Sequence, residues 1–370
     1  MGIPQIAELA KVSIGTVDRA LHARKGVSET TRKRVLQIAK HVGYTPNLAA
    51  RVLSVGRANV RMGVCIPRET HFFYDQLRDG ILDESRRFES LGVEVLYRPI
   101  DKLGVGECER MKEMLQAGVN ALIITPGDPH CMQPLIDEAE ARNIRVICVA
   151  SDAPGSARSS VICVDPDLGG RLAAEMMGWV VAPGAKAAVI TGMLRTEDHR
   201  MKTEGFCAMF PEYCEGGSVV EVVEGHEDND ETFQGCLDVL ERCPDIAGLY
   251  VNIVTCLPVC YALRARCLAG KVRLITTDLF EEMVPFIEKQ TIHASIYQRP
   301  YVQGQTAVRL IAEHALHDRP IPSTYHLNPA IVMRSNLYMF RETRHLKPTP
   351  RPYAATDNEP TSDQAVRAVG

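Results

Sequence analysis

The side chains best suited to chemistry in this 370-residue chain follow directly after short apolar runs. Behind Met62-Gly63-Val64-Cys65-Ile66-Pro67 stands Arg68-Glu69-Thr70-His71-Phe72-Phe73-Tyr74, which sets adjacent aromatic rings in a polar loop. Ser151-Asp152 follows the run Val146 to Ala150, Asn252 follows Tyr250-Val251, Asp278 follows Thr276-Thr277, and Gln298 follows Ile296-Tyr297. The loop that begins at Gly192 adds Asp198, His199, Arg200 and Lys202. Carboxylate, amide and cationic groups converging on a cleft are what multidentate hydroxyl recognition requires, and Phe72 or Phe73 would cover the apolar face of a sugar ring while the other points into the core. For Asp152 and Asn252 a polar group capping a strand end or turn explains the residue equally well. No Gly-x-Ser-x-Gly elbow, P-loop, Gly-x-Gly-x-x-Gly after a strand or His-Glu-x-x-His occurs, so the carboxylates read as a binding set. No enzyme activity and no cofactor are expected.

A second chemical surface lies near the N-terminus. Ser13 precedes Ile14, Val17 and Leu21, the i, i+3, i+7 spacing of a short amphipathic helix. Upstream, Ile6, Leu9 and Ala10 mark another, separated by Lys11-Val12, so the pair forms a helix-turn-helix with Ala7 and Val17 at the close approach. Ile14, Gly15, Asp18, Arg19 and His22 are left on a face that fits a DNA major groove, where an arginine can take a guanine edge bidentately. A plain helical hairpin is the competing reading, and charge argues against it. Residues 1–56 carry nine Lys/Arg and three Asp/Glu, a net +6, whereas the whole chain is −4. A basic module on an acidic body fits a phosphate-binding head joined to something that does not bind DNA. A third helix starts at Ser28-Glu29-Thr30-Thr31-Arg32 and buries Val35, Ile38, Ala39 and Val42.

The elements that position the cleft residues follow from periodicity. Short continuous apolar runs alternate with helical patterns such as Tyr74 to Leu91, and they recur from Val93 to Val272. Strands buried on both faces and separated by helices imply a doubly wound α/β fold with parallel sheets, and there is strand material for two lobes. No apolar run is long enough to span a bilayer and the N-terminus lacks a secretory pattern, so a cytoplasmic protein with no membrane partner is expected. Twelve cysteines without Cys-x-x-Cys pairs read as small buried hydrophobes, not disulfides or metal ligands. From Arg341 to Gly370 the chain is polar and proline-rich, with no apolar period, and is expected to be disordered.

Residues 3–56 resemble the DNA-binding headpiece of the lactose-repressor (LacI/GalR) family, on Val12-Ser13, Thr16-Val17, Arg19, Val27-Ser28, Thr31-Arg32, Gly43-Tyr44, Pro46-Asn47, Ala50-Arg51 and Leu53. Lys11 stands where a glycine is usual and Asp18 where a serine is usual. The resemblance implies a ligand-responsive transcriptional regulator, a repressor sensing a small sugar or polyol, that binds near-palindromic operator DNA as a homodimer. A corepressor-type regulator with a non-sugar ligand and a sugar-binding receptor are the alternatives. It places Ser13, Ile14, Gly15, Thr16, Asp18, Arg19, Asn47, Ala50, Arg51 and Leu53 at DNA, and Phe72, Phe73, Asp152, Arg200, Lys202, Asn252, Asp278 and Gln298 at the ligand, with Arg200 and Lys202 competing for one role. The implied domains are a headpiece at 1–46, a hinge helix and linker at 47–57, a two-lobed body resembling periplasmic sugar-binding proteins at 58–340, and a tail at 341–370. The lobes are expected at 61–158 with 293–326, and at 159–292 with 327–340, the chain crossing near Ser159, His293 and His326.

Overall fold

The computed structural model describes residues 3–21, 26–41, 59–68, 71–254 and 256–341. His22, the hinge residues Asn47, Ala50, Arg51 and Leu53, and the tail beyond Arg341 lie outside the described residues. The chain divides at Asn59 into a small N-terminal unit and a large body.

The small unit consists of helices at Ile3–Ala10, Ile14–Leu21 and Glu29–His41. Ser13 Oγ accepts from the Thr16 amide and Ser28 Oγ from the Thr31 amide, each at 3.2 Å, so both later helices begin on a capping serine. Lys11 takes the left-handed conformation, φ 50°, and thereby makes the turn that a glycine would make without strain. Ile6, Ala7, Ala10, Val17, Ala20, Val35 and Ala39 form the core. Leu9 is not in the buried stripe: it is 57% exposed. It lies about 200° round the helix from Ala7, and Ala7 is what the second helix packs on.

The body has two six-stranded sheets. In the first the order is β11-β5-β4-β3-β1-β2, all parallel, with β1 Val60–Cys65, β2 Val93–Tyr97, β3 Ala121–Ile124, β4 Arg145–Val149, β5 Ser160–Cys163 and β11 Thr324–His326. In the second it is β12-β10-β9-β8-β6-β7, with β6 Lys186–Thr191, β7 Ser218–Glu224, β8 Ile246–Val251, β9 Arg273–Thr277, β10 Ala294–Tyr297 and β12 Ala330–Val332. Only the edge strand β12 is antiparallel. The central strands are buried over nearly their whole length because helices cover both faces, whereas the edge strand β7 alternates half-buried and exposed residues. Strand pairing puts β5 in the first sheet and β10 in the second, so the chain crosses after Cys163, after Tyr297 and after His326. The first two crossings fall a few residues after Ser159 and His293, because β5 and β10 pair within their own sheets before the chain leaves each lobe.

Several helices are fixed by aspartates and prolines at their starts. Asp128 Oδ1 accepts from Cys131 N ahead of Pro129, and Asp165 Oδ1 accepts from Leu168 N ahead of Pro166. Glycines then let paired helices touch backbone to backbone. A Cβ on Gly80 of the His71–Phe88 helix would overlap the Tyr301 carbonyl of the Pro300–His317 helix, and one on Gly304 would overlap the Leu77 carbonyl. The second lobe repeats the device: a Cβ on Gly170 of the Pro166–Val180 helix would overlap the Lys202 carbonyl of the Glu197–Tyr213 helix. One cysteine pair departs from the expectation of free thiols: Cys108 and Cys131 form a disulfide, with Cα atoms 6.6 Å apart. They are 23 residues apart with a strand between them, a separation that gives no sequence signal; both sit in first turns that the sheet brings face to face. Among the described residues no helix is long and apolar enough to cross a membrane.

Candidate functional site

In the small unit the second helix buries Val17 and Ala20 and turns its other side outward. Ile14 is 56% exposed, Ser13, Gly15 and Arg19 are exposed, and Thr16 and Asp18 are half-buried. A Cβ on Gly15 would meet nothing closer than Ser13 Oγ at 4.0 Å, so a flat surface can approach the backbone there. Ser13, the capping residue, also shares a hydrogen bond with Thr16 Oγ1 at 2.9 Å.

In the body, strand ends and one helix meet around an inner cavity. Asp278 leaves β9 at φ 68° and Ala150 leaves β4 at φ 66°, left-handed positions that turn each chain sharply at the sheet's carboxyl edge. Gln303 joins the two lobes' backbones: its Oε1 accepts from Ala150 N and its Nε2 donates to Gln298 O, both at 3.0 Å. Lys202, only 1% exposed, donates from Nζ to Asp198 Oδ2 at 2.7 Å and to Gln298 Oε1 at 2.8 Å. Gln298 Nε2 in turn donates to Asp278 Oδ1 and Oδ2 at 3.0 and 3.1 Å. Asn252 Nδ2 donates to Thr203 Oγ1 at 3.0 Å. Burial pushes the Asp278 carboxyl up to about 7, against the lowering pull of Lys202 and Gln298.

The helical phase decides which residues of the Glu197–Tyr213 helix face inward. Asp198 and Lys202 are one turn apart on the inner side, while Arg200 points away and pairs with Glu197 at 2.7 Å and Glu204 at 2.6 Å. Asp152 is likewise turned aside, held by Arg158 Nη2 at 2.6 Å, and its neighbour Ser151 reaches the cavity instead. Phe73 lines the cavity, edge-on to Tyr74 at 5.1 Å. Phe72 stacks on Phe280 at 4.0 Å and lines a wider outer space of about 700 Å³. Of the eight residues expected at the ligand, Phe73, Lys202, Asn252, Asp278 and Gln298 are brought together at the inner cavity, and Phe72, Asp152 and Arg200 are not.

Glu227 was not legible as a site residue, because it follows β7 after a Gly-His pair with no apolar frame around it. It is buried, and its Oε1 lies 3.3 Å from His199 Nε2. His199 Nδ1 accepts from Met193 N at 3.0 Å, so the ring's proton sits on Nε2, toward Glu227. Burial lowers the imidazole to about 4 and raises the Glu227 carboxyl to about 7.

The two lobes are closed on each other. Thr196 Oγ1 donates to Gly127 O at 2.7 Å, Gln76 Nε2 donates to Leu279 O at 3.1 Å, and Phe72 stacks across on Phe280. The Gly127 loop is held by buried Glu107, which accepts from Gly104 N at 2.6 Å and Gly127 N at 2.9 Å. The inner cavity retains about 20 Å³, room for a water rather than a sugar. A sugar-sized ligand therefore enters only when the lobes part.

The large body matches the periplasmic binding protein domain family over residues 62–318, and residues 3–47 match the bacterial regulatory proteins of the lacI family. The chain is 25% identical over 205 residues to the HTH-type transcriptional regulator DegA of Bacillus subtilis (strain 168), which covers 55% of this chain and 59% of that protein. It is 28% identical over 149 residues to catabolite control protein A of Priestia megaterium, covering 40% of this chain and 43% of that protein. The chain thus matches about half the length of these relatives. A glucose-galactose binding protein of Geobacillus stearothermophilus superposes with a TM-score of 0.69 at 22% identity, over 75% of this chain and 99% of that one, and so shares the fold. With two doubly wound lobes making up most of its length, the chain belongs to the periplasmic binding protein domain family, and ahead of that body it carries a helix-turn-helix unit that matches the bacterial regulatory proteins of the lacI family.

Proposed function

We propose that this chain is a sequence-specific DNA-binding transcriptional regulator, a repressor, whose operator affinity responds to a small sugar or polyol held between the lobes. The observation that carries the reading is the union in one chain of an outward recognition helix, with Ile14, Gly15 and Arg19 accessible, and a cleft lined by Lys202, Asn252, Asp278 and Gln298. Strand-end carboxylates and amides recognise hydroxyls without reacting with them, and a family of regulators supports binding over catalysis. A short recognition helix covers one half-site, so the working form is a homodimer on near-palindromic DNA, and its place is the cytoplasm. A transport receptor would have no use for a basic helix-turn-helix.

The test has two arms on the full chain: selection of bound duplexes from a random pool, and a thermal-shift screen of pentoses, hexoses and polyols. A selected two-fold symmetric motif together with a sugar that raises the melting temperature supports the reading. A chain that enriches no motif is not the proposed regulator.

A further inference from the structure

The unmet hydrogen-bonding capacity of the inner cavity leans toward acceptors. Asp198 Oδ1 and Asn252 Oδ1, whose residues line it, have no partner among the described residues. The orientation of the Asn252 amide is forced. Thr203 Oγ1 donates its proton to His199 O at 2.8 Å, so it accepts from Asn252 Nδ2, and the amide oxygen faces away. Gln298 is fixed in the same manner, because Lys202 can only donate. On the other side stand the hydroxyls of Ser151 and Tyr74, which serve either way, and the third proton of Lys202 Nζ. Asn252 is 2% exposed, so a bare Oδ1 there is an unfavourable state that a ligand with donors relieves.

Charge points the same way. Asp198 pairs with the ammonium of Lys202, Asp278 follows one hydrogen bond further on through Gln298, and Glu227, which lines the outer space, still feels the pull of Lys202 on its carboxyl. His199 adds no cation, since its Nδ1 is an acceptor for Met193 N. Arg200 and Arg158 are engaged by Glu197, Glu204 and Asp152, and Arg195 and Arg299, which stand next to site residues in sequence, are exposed. An anion entering this space meets a surplus of carboxyl groups and few donors, whereas an incoming ammonium draws Asp278 and Glu227, both raised to about 7 by burial, into their ionised forms. A neutral polyol satisfies the acceptors and leaves the surplus, whereas a polyol bearing an ammonium satisfies both. Resting on the function proposed above, we propose that the ligand of this cleft is a cationic polyhydroxyl compound, an amino sugar or amino-substituted polyol, and that sugar acids and sugar phosphates are rejected.

The test is isothermal titration of the full chain with matched sets at neutral pH: pentoses, hexoses, alditols and inositols, each beside its amino-substituted form and its acid or phosphate. At least one amino form should bind about tenfold more tightly than its neutral parent, with no measurable binding of the acid. Glu227→Gln, which keeps the shape and removes the charge, should shrink that preference several-fold by weakening the amino form more than its neutral parent. A neutral parent that binds as tightly as its amino form, or an anion that binds best, overturns the inference and leaves the sugar-sensor reading standing. Equal weakening of both forms by Glu227→Gln also overturns it, since the surplus carboxylate would then not set the preference. Absence of binding across every set overturns the sugar-sensor reading itself, and this inference with it.

Discussion

Asp278 joins backbone strain, burial and ligand chemistry in one residue: φ 68° aims its carboxylate into the cavity, and Gln298 holds both oxygens there. Asp278→Asn should abolish the ligand-induced thermal shift and leave DNA binding intact. The same variant carries a pH signature. A carboxyl whose folded value is raised from 3.8 to about 7 stabilises the native state fully below the lower value, and that contribution is lost as pH rises through the higher one. Glu227, raised from 4.5 to about 7, has the same sign, while His199, lowered from 6.5 to about 4, has the opposite sign over the same window. The melting temperature of Asp278→Asn relative to wild type should therefore climb as pH rises through about 7. A difference that stays flat with pH would show that Asp278 is not held neutral by burial. In the small unit, Arg19→Ala should cost about 1–3 kcal/mol of specific binding and relax the sequence preference, read by anisotropy on matched and mutated duplexes. At this scale the strand-end rule located Asn252, Asp278 and Gln298 from sequence, because a carboxyl edge is where a parallel sheet offers polar groups. It failed for Asp152, whose partner Arg158 lies six residues on, and it gave no choice between Arg200 and Lys202, which only the phase of the helix against Gly170 decides.

The Glu197–Tyr213 helix places Asp198, His199 and Lys202 together, and the glycine contact with the Pro166–Val180 helix sets its depth. Gly170→Ala puts a methyl against the Lys202 carbonyl, so the helices must separate. The expected loss is about 1–3 kcal/mol in chemical unfolding, accompanied by weaker ligand binding because Lys202 moves with its backbone. Stability lost with ligand affinity unchanged would mean that the helix pair does not position the site. Thr196→Ala removes the hydrogen bond to Gly127 O and should favour open lobes, seen as a larger radius of gyration in solution scattering without ligand. The alternation of strands and helices was legible as period and composition. The crossings were not: β5 and β10 have the same apolar texture as their neighbours, and only pairing tells which sheet each joins.

At the scale of the whole molecule, the reading requires that lobe closure and DNA binding share one equilibrium. Ligand affects operator affinity only if it favours one lobe arrangement over another, and operator must then change ligand affinity by the same factor. We predict the inducer sign, in which ligand releases the operator. The measurement that bears on this most directly is titration of the ligand found by thermal shift into a complex of the full chain with its selected duplex, followed by anisotropy. Release of the duplex at ligand concentrations that raise the melting temperature is the predicted result. Tighter duplex binding would contradict the inducer sign, and unchanged binding at ligand saturation would contradict the coupling itself.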